Sequence, residues 1–306
     1  MDFSELDRVL CHVYHDCTPL LGQGRLADYI PELARVDPRQ LGLCLHMNDG
    51  TTYCYGDTEV PLSIQSISKV FVLAMVLPRI QPYFERVHVE PSGDPFNSLV
   101  QLEYENGLPR NPFINAGALV TTDMLMELEP DAKGALLRFL TRLNRGRAVT
   151  FNEQVAKSEL DHAGRNRALA YFMQSFSNIR SSVEELMDVY CHQCAVQMSL
   201  RDLTASFAFL ANGGLSPTTG EQVVSRGDSK RINALMLTCG FYDESGEFAY
   251  RVGLPGKSGV GGGIATVLPG RFTLSVWSPG LNSKGNSLVG MRALEMFTAR
   301  TSASLF

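Results

Sequence analysis

The run SISK at residues 66–69 sets a serine three residues ahead of a lysine. On a helix that spacing puts both side chains on one face, so Lys69 can reach the Ser66 hydroxyl. A serine hydroxyl becomes a useful nucleophile only when a neighbouring base removes its proton. Lysine can be that base if desolvation or a nearby cation lowers its pKa towards neutrality. The apolar stretch VFVLAMVL that follows Lys69 offers the desolvation, and Lys257 in GKSGVGGG offers the cation. A helix start would also leave backbone N–H groups free near a developing oxyanion. The chemistry on offer is acyl transfer. Read alone, the tetrapeptide is also an ordinary helix start with Lys69 reaching to solvent.

These residues need elements to hold them. An amphipathic helix is expected over about residues 3–15 and a second over GRLADYIPELARV, where Tyr29 would lie with Ile30 and Leu33. Two strand-like runs meet at Asn48-Asp49-Gly50, a hairpin signal. Helical periodicity dominates from about 64 to 238, with capping boxes at Ser182/Glu185, Ser199/Asp202 and Ser158/Asp161. The strand period returns past 245, through Lys257-Ser258-Gly259 and a Pro269-Gly270 turn into RFTLSVWS, and NSLVGMRALEMFTAR closes the chain as a helix. The glycines at 261–263 mark a strand that another backbone or a ligand approaches closely. The order implies an α+β fold, an antiparallel sheet flanked by helices plus a helical subdomain. One unit over 1–306 is expected, built from an α/β part (about 1–75 and 246–306) and a mainly helical part (about 76–245). The site belongs in the cleft between them.

Ser-x-x-Lys early and Lys-Ser-Gly late is the arrangement of the penicillin-recognising serine enzymes, so the fold resembles the β-lactamase/transpeptidase type. Their Ser-Asp-Asn motif is absent. The stretches LADYIPELARV, QSISKVF, NPFINAGAL, ELDHAGRN, VYCHQC and GFYDESGEFAYRVGLPGKSGVGGGI resemble instead, in order and over most of the chain, the serine-dependent glutaminases. That resemblance implies attack of Ser66 on the γ-amide of L-glutamine, with Lys69 as base and Tyr190 and Tyr242 relaying protons. It places the backbone N–H groups of Ser66 and Val260 in an oxyanion hole. Tyr29, Gln65, Asn115, Glu159, Asn166 and Tyr190 would hold the amino-acid head and side-chain amide, with Lys257, Ser258 and Gly259 in support. It implies no cofactor and a homodimer or homotetramer.

Each of these residues has a plainer reading. Glu159 suits a helix start, Asn115 a cap, Tyr190 a rim aromatic and Tyr242 a loop. Glu159 and Asn166 are seven apart and share a face if Gly164 leaves the helix unbroken.

Composition bounds the alternatives. Of 306 residues, 44% are hydrophobic and 19% charged, which suits a globular chain with a large core. A net charge of −5 with scattered Lys and Arg gives no nucleic-acid footprint. The N-terminus lacks the basic and apolar regions of a secretory signal, and no apolar run reaches the roughly 20 residues of a membrane span. Seven cysteines at irregular spacing fit reduced thiols in the cytoplasm. CHVYHDC and CHQC are rich in metal-binding types, but their halves lie far apart, so packing is the expected role and no metal site is expected. A β-lactamase-like hydrolase and a non-catalytic ligand sensor on the same fold are the rival readings. The first works outside the cytoplasm, and the second would not be expected to keep Lys69 and the glycine-rich strand.

Overall fold

Gly50, at φ +93°, turns the chain between β1 (Gly42–Met47) and β2 (Thr52–Gly56), which pair antiparallel as the Asn-Asp-Gly signal requires. The computed structural model describes residues 3–93 and 99–306. In it β1 pairs on its other side with β8 (Phe272–Trp277), and β7 (Gly263–Leu268) and β6 (Gly256–Ser258) complete an antiparallel sheet in the order β2-β1-β8-β7-β6. The hairpin register sets Cys44 opposite Cys54, with Cα atoms 4.2 Å apart, and they form a disulfide. This corrects the expectation of seven reduced thiols: five are free.

The sheet is covered on both faces. On one lie α1 (Phe3–Cys17) and the closing helix α12 (Leu288–Thr301), where Leu10 and Val13 meet Leu43, Leu274 and Phe297 in a dry core. The other face carries α9 (Leu200–Ala211). Strand β8 is therefore buried at every residue, although Thr273 and Ser275 alternate with its apolar positions.

Between the hairpin and the late strands the chain is mainly helical. Helix α2 (Ser68–Val76) is buried along its whole length, as its apolar run demands. Packed against it are α4 (Asn115–Leu128), α5 (Ala132–Leu143) and α8 (Val183–Cys194). The short α3 (Val100–Tyr104), α6 (Glu153–Asp161), α7 (Gly164–Ser175), α10 (Arg226–Cys239) and α11 (Ser245–Arg251) complete the set. A small second sheet, β3 (Pro61–Ser63), β5 (Val196–Ser199) and β4 (Thr150–Phe151), ties these helices to the strand side; its strands are too short to show a period. Among the described residues no helix is long and apolar enough to cross a membrane.

Several local expectations change. The second helix, over 24–36, is absent: Pro31 removes an amide donor mid-segment, and only a 3-10 turn at Leu33–Arg35 forms. The segment instead bonds across to Leu281, through Arg25 N–H to Leu281 O at 2.9 Å and its reciprocal at 2.8 Å. Residues 245–251 are helix rather than strand. Ser199 caps α9 by accepting the Asp202 N–H, whereas Ser182 makes no side-chain cap. Ser158 lies inside α6, which Asn152 caps, so the Ser158/Asp161 box does not start a helix.

Candidate active site

Ser66 does not sit on the α-helix proper. A 3-10 turn, Gln65–Ile67, leads into α2, and Gln65 takes φ +51°. Tyr242 begins a second 3-10 turn at φ +57°. Left-handed backbone at a non-glycine residue costs about 1–3 kcal/mol, and it persists where surrounding structure forces it, as at functional sites. Both strained residues line the same cavity.

That cavity, about 280 Å³, brings together Tyr29, Gln65, Ser66, Asn115, Glu159, Asn166, Tyr190, Tyr242 and Val260. A larger groove of about 580 Å³, between α9 and α10, contains none of these groups. Tyr29 stands half exposed at the edge. Glu159 and Asn166 meet here by a different route from the single helical face: α6 stops at Asp161 and α7 starts afresh at Gly164, so they face the cavity across a bend. Asn115 is the first residue of α4 and Asn166 the third of α7. The positive ends of two helices thus open on the cavity, beside the turn that leads into α2.

Lys69 lies just behind this wall. It is 2% exposed, and its ammonium donates to Asn115 Oδ1 at 2.8 Å and Phe113 O at 3.2 Å. Asn115 is shared: it donates to Asn166 Oδ1 at 3.0 Å and accepts from the Tyr190 hydroxyl at 3.4 Å. Burial pushes the Lys69 pKa down to about 8, with Cys194 and Glu159 opposing the fall. Burial likewise pushes Glu159 up to about 7, against the Gln65 amide and the Lys69 charge. Its Oε1 is buried without a hydrogen-bond partner.

The late glycine-rich strand closes the other wall. Lys257 is fully buried, its ammonium donating to Gly240 O at 2.9 Å and Ser258 O at 2.7 Å. It stands 4.5 Å from the Tyr242 ring centroid, a cation–π contact. Burial first, and the Lys69 charge second, hold its pKa well below the ordinary lysine value. Tyr242 is pushed up to about 12 by burial, while contacts with the Ser66 and Ser258 hydroxyls hold it down. Ser258 in turn donates to Asn286 Oδ1 at 2.6 Å.

Gly259 explains part of the strand's composition. A Cβ there would stand 2.6 Å from Ile64 O, the carbonyl that begins the Ser66 turn. Gly259→Ala is therefore expected to push β6 and this turn apart. A loss of about 1–3 kcal/mol in urea unfolding should accompany a fall in kcat of tenfold or more.

Three cavity residues carry no sequence signal that singles them out, Ile30, His162 and Arg165, and a fourth, Cys194, reads from sequence only as a packing residue. Asn286 went unread as well, because 28 residues and no shared element separate it from Ser258. Cys191 and Cys194 are buried on α8, and Cys11 and Cys17 lie on α1. Among the described residues no three His, Cys, Asp or Glu side chains gather as metal ligands would.

Residues 24–306 match the glutaminase family model. The chain belongs to the glutaminase family. It is 51% identical over 299 residues to the glutaminase of Ralstonia nicotianae, covering 97% of this chain and 98% of that protein. The structure of the probable glutaminase ybaS superposes with a TM-score of 0.94 at 34% identity, covering 100% of this chain and 99% of that one. Mglu in its tris and glutamate form gives 0.91 at 32% identity, over 98% of this chain and 67% of that chain. The glutaminase fold, an antiparallel sheet flanked by helices in the β-lactamase-like manner, is thus the fold the two motifs call for.

Proposed function

We propose that this chain hydrolyses the γ-amide of free L-glutamine to L-glutamate and ammonia through a γ-glutamyl ester on Ser66. The observation that carries the reading is Lys69, a buried ammonium held behind the Ser66 cavity with its pKa near working pH. In the neutral form it takes the Ser66 proton as Oγ bonds to the amide carbon. The resulting oxyanion accepts from the backbone N–H groups of Ser66 and Val260. Collapse breaks the C–N bond, and the nitrogen leaves as ammonia with the proton returned from Lys69 by way of Tyr190 and Tyr242. Water then gives its proton to Lys69 and attacks the ester, and Ser66 recovers its hydrogen. Lys257 supports by facing the Tyr242 ring; Ser258 and Gly259 hold that strand in place. The reaction as written uses no cofactor. A cytoplasmic homodimer or homotetramer completes the proposal.

Glu159 sets the substrate. A free amino acid brings an ammonium and a carboxylate, and burying either without a partner is costly. Among the described residues Glu159 is the only carboxylate lining the cavity, and its unpartnered Oε1 suits the ammonium. Asn115, Asn166 and Tyr190 serve the carboxylate, with Tyr29 and Gln65 against the side chain. Asparagine, one methylene short, should place its carbonyl off the attack position and lose about 100-fold or more. N-acetylglutamine leaves Glu159 unpaired, a penalty of several kcal/mol. The test is kcat/KM for glutamine, asparagine and N-acetylglutamine in wild type and Glu159→Gln. Glutamine should be strongly preferred by wild type and hydrolysed poorly by the variant. Equal use of N-acetylglutamine, or full activity in Glu159→Gln, would overturn the binding assignment.

A further inference from the structure

The bend between α6 and α7 carries two charges at ends of helices where neither helps its own helix. Glu159 lies in the last turn of α6, where backbone carbonyls already make the end negative. Arg165 is the second residue of α7, whose first turn holds no acid to balance it. Acids do occupy the first turns of α1, α6, α8, α9 and α10. Both charges line the cavity. The pattern costs helix stability, yet it matches a zwitterion: a negative pole at the end of one helix and a positive pole at the start of the next.

The remaining cations nearby are engaged. Lys69 is committed to Asn115 and Phe113, and Lys257 to Gly240 and Ser258. Arg167 pairs with Glu184 and donates to Leu160 O, and Lys157 pairs with Asp161. His162 is tied through Nδ1 to Ser158 O. Arg165 is exposed and, among the described residues, has no carboxylate partner. Among those residues it is also the only arginine or lysine that lines the cavity.

We propose that Arg165 recognises the substrate's α-carboxylate, so that residues 159–166 act as one zwitterion clamp. Glu159 and the end of α6 take the ammonium; Arg165, Asn166 and the start of α7 take the carboxylate. This rests on the free-glutamine reading above and adds to it a specificity-determining residue with a formal charge, where the carboxylate otherwise meets only neutral groups.

The experiment compares L-glutamine with L-glutaminamide, whose α-carboxylate is replaced by a neutral amide, in wild type, Arg165→Met and Arg165→Lys, with products separated by chromatography. Wild type should prefer glutamine. Arg165→Met should lose about 10–100-fold in kcat/KM for glutamine, chiefly through KM, with little change for the α-amide. Arg165→Lys should recover part of the loss. Because Arg165 opposes its own helix, the Tm of Arg165→Met should be unchanged or raised.

Equal losses for both substrates, or a fall in Tm, would assign Arg165 a structural role and overturn the clamp. A loss that vanishes in 1 M KCl would make Arg165 a distant attractor instead of a contact, which also overturns it. A wild-type preference that survives in Arg165→Met defeats this inference alone. If wild type shows no preference, the free-glutamine reading falls with it.

Discussion

Ser66→Ala should lower kcat for glutamine on the order of 10⁶-fold while leaving glutamine binding largely intact. In the proposed mechanism the hydroxyl is the group that bonds to substrate, whereas the proposed head-group contacts come from Asn115, Glu159, Asn166 and Tyr190. Ser66 is partly exposed and lines the cavity, so removing its hydroxyl opens no large void in the core. Single-turnover assays on the variant, with binding followed by calorimetry, separate the two effects. Activity at the wild-type rate would end the covalent mechanism, and so would a loss confined to KM.

Lys69→Arg should also be severely damaging, by about 10²–10⁴-fold. Arginine keeps the charge but stays protonated at any working pH, so it cannot take the Ser66 proton. The same assignment sets the sign of the pH dependence. With its pKa down to about 8, Lys69 is mostly protonated and idle below that pH. Glu159, raised to about 7, is mostly protonated below that value and then unable to hold an ammonium. Both groups therefore demand loss of a proton, and wild-type kcat/KM should climb between about pH 7 and 8. The two carboxylate and ammonium titrations influence each other, so the rise belongs to the pair. A profile that is flat from pH 6 to 9, or an arginine variant as active as wild type at pH 7.5, would exclude Lys69 as the base.

The residues that gather at the cavity and in its walls were easier to read than the local scaffold, for reasons that differ by residue. Ser66, Lys69, Lys257 and Ser258 belong to two short motifs whose order along the chain is informative without any structure. The hairpin at Asn48–Gly50 and the terminal helices follow from local pattern, because one face of each meets a core. Pattern failed where tertiary contacts overrule it. Pro31 breaks an apparently helical period, and the segment satisfies its backbone on Leu281 instead. Residues 159–166 show helical spacing, yet the chain bends at His162 and Ala163, and the charges at 159 and 165 acquire their sense only from that bend. The Cys44–Cys54 pairing follows from the hairpin register once drawn, but cysteine count and spacing argue the other way.

The cavity walls come from seven places in the chain, near residues 29, 65, 115, 159–166, 190, 242 and 260. A ligand seated there fastens together parts of the polypeptide that are distant along it, much as a rivet does. An unfolded chain offers it no such site, so every bound molecule draws the folding equilibrium towards the native state by mass action. At a ligand concentration 100 times Kd the gain is about 2.7 kcal/mol. The amino acid this enzyme consumes is on that account also a guardian of the enzyme, which becomes most open to unfolding and proteolysis when its substrate runs out.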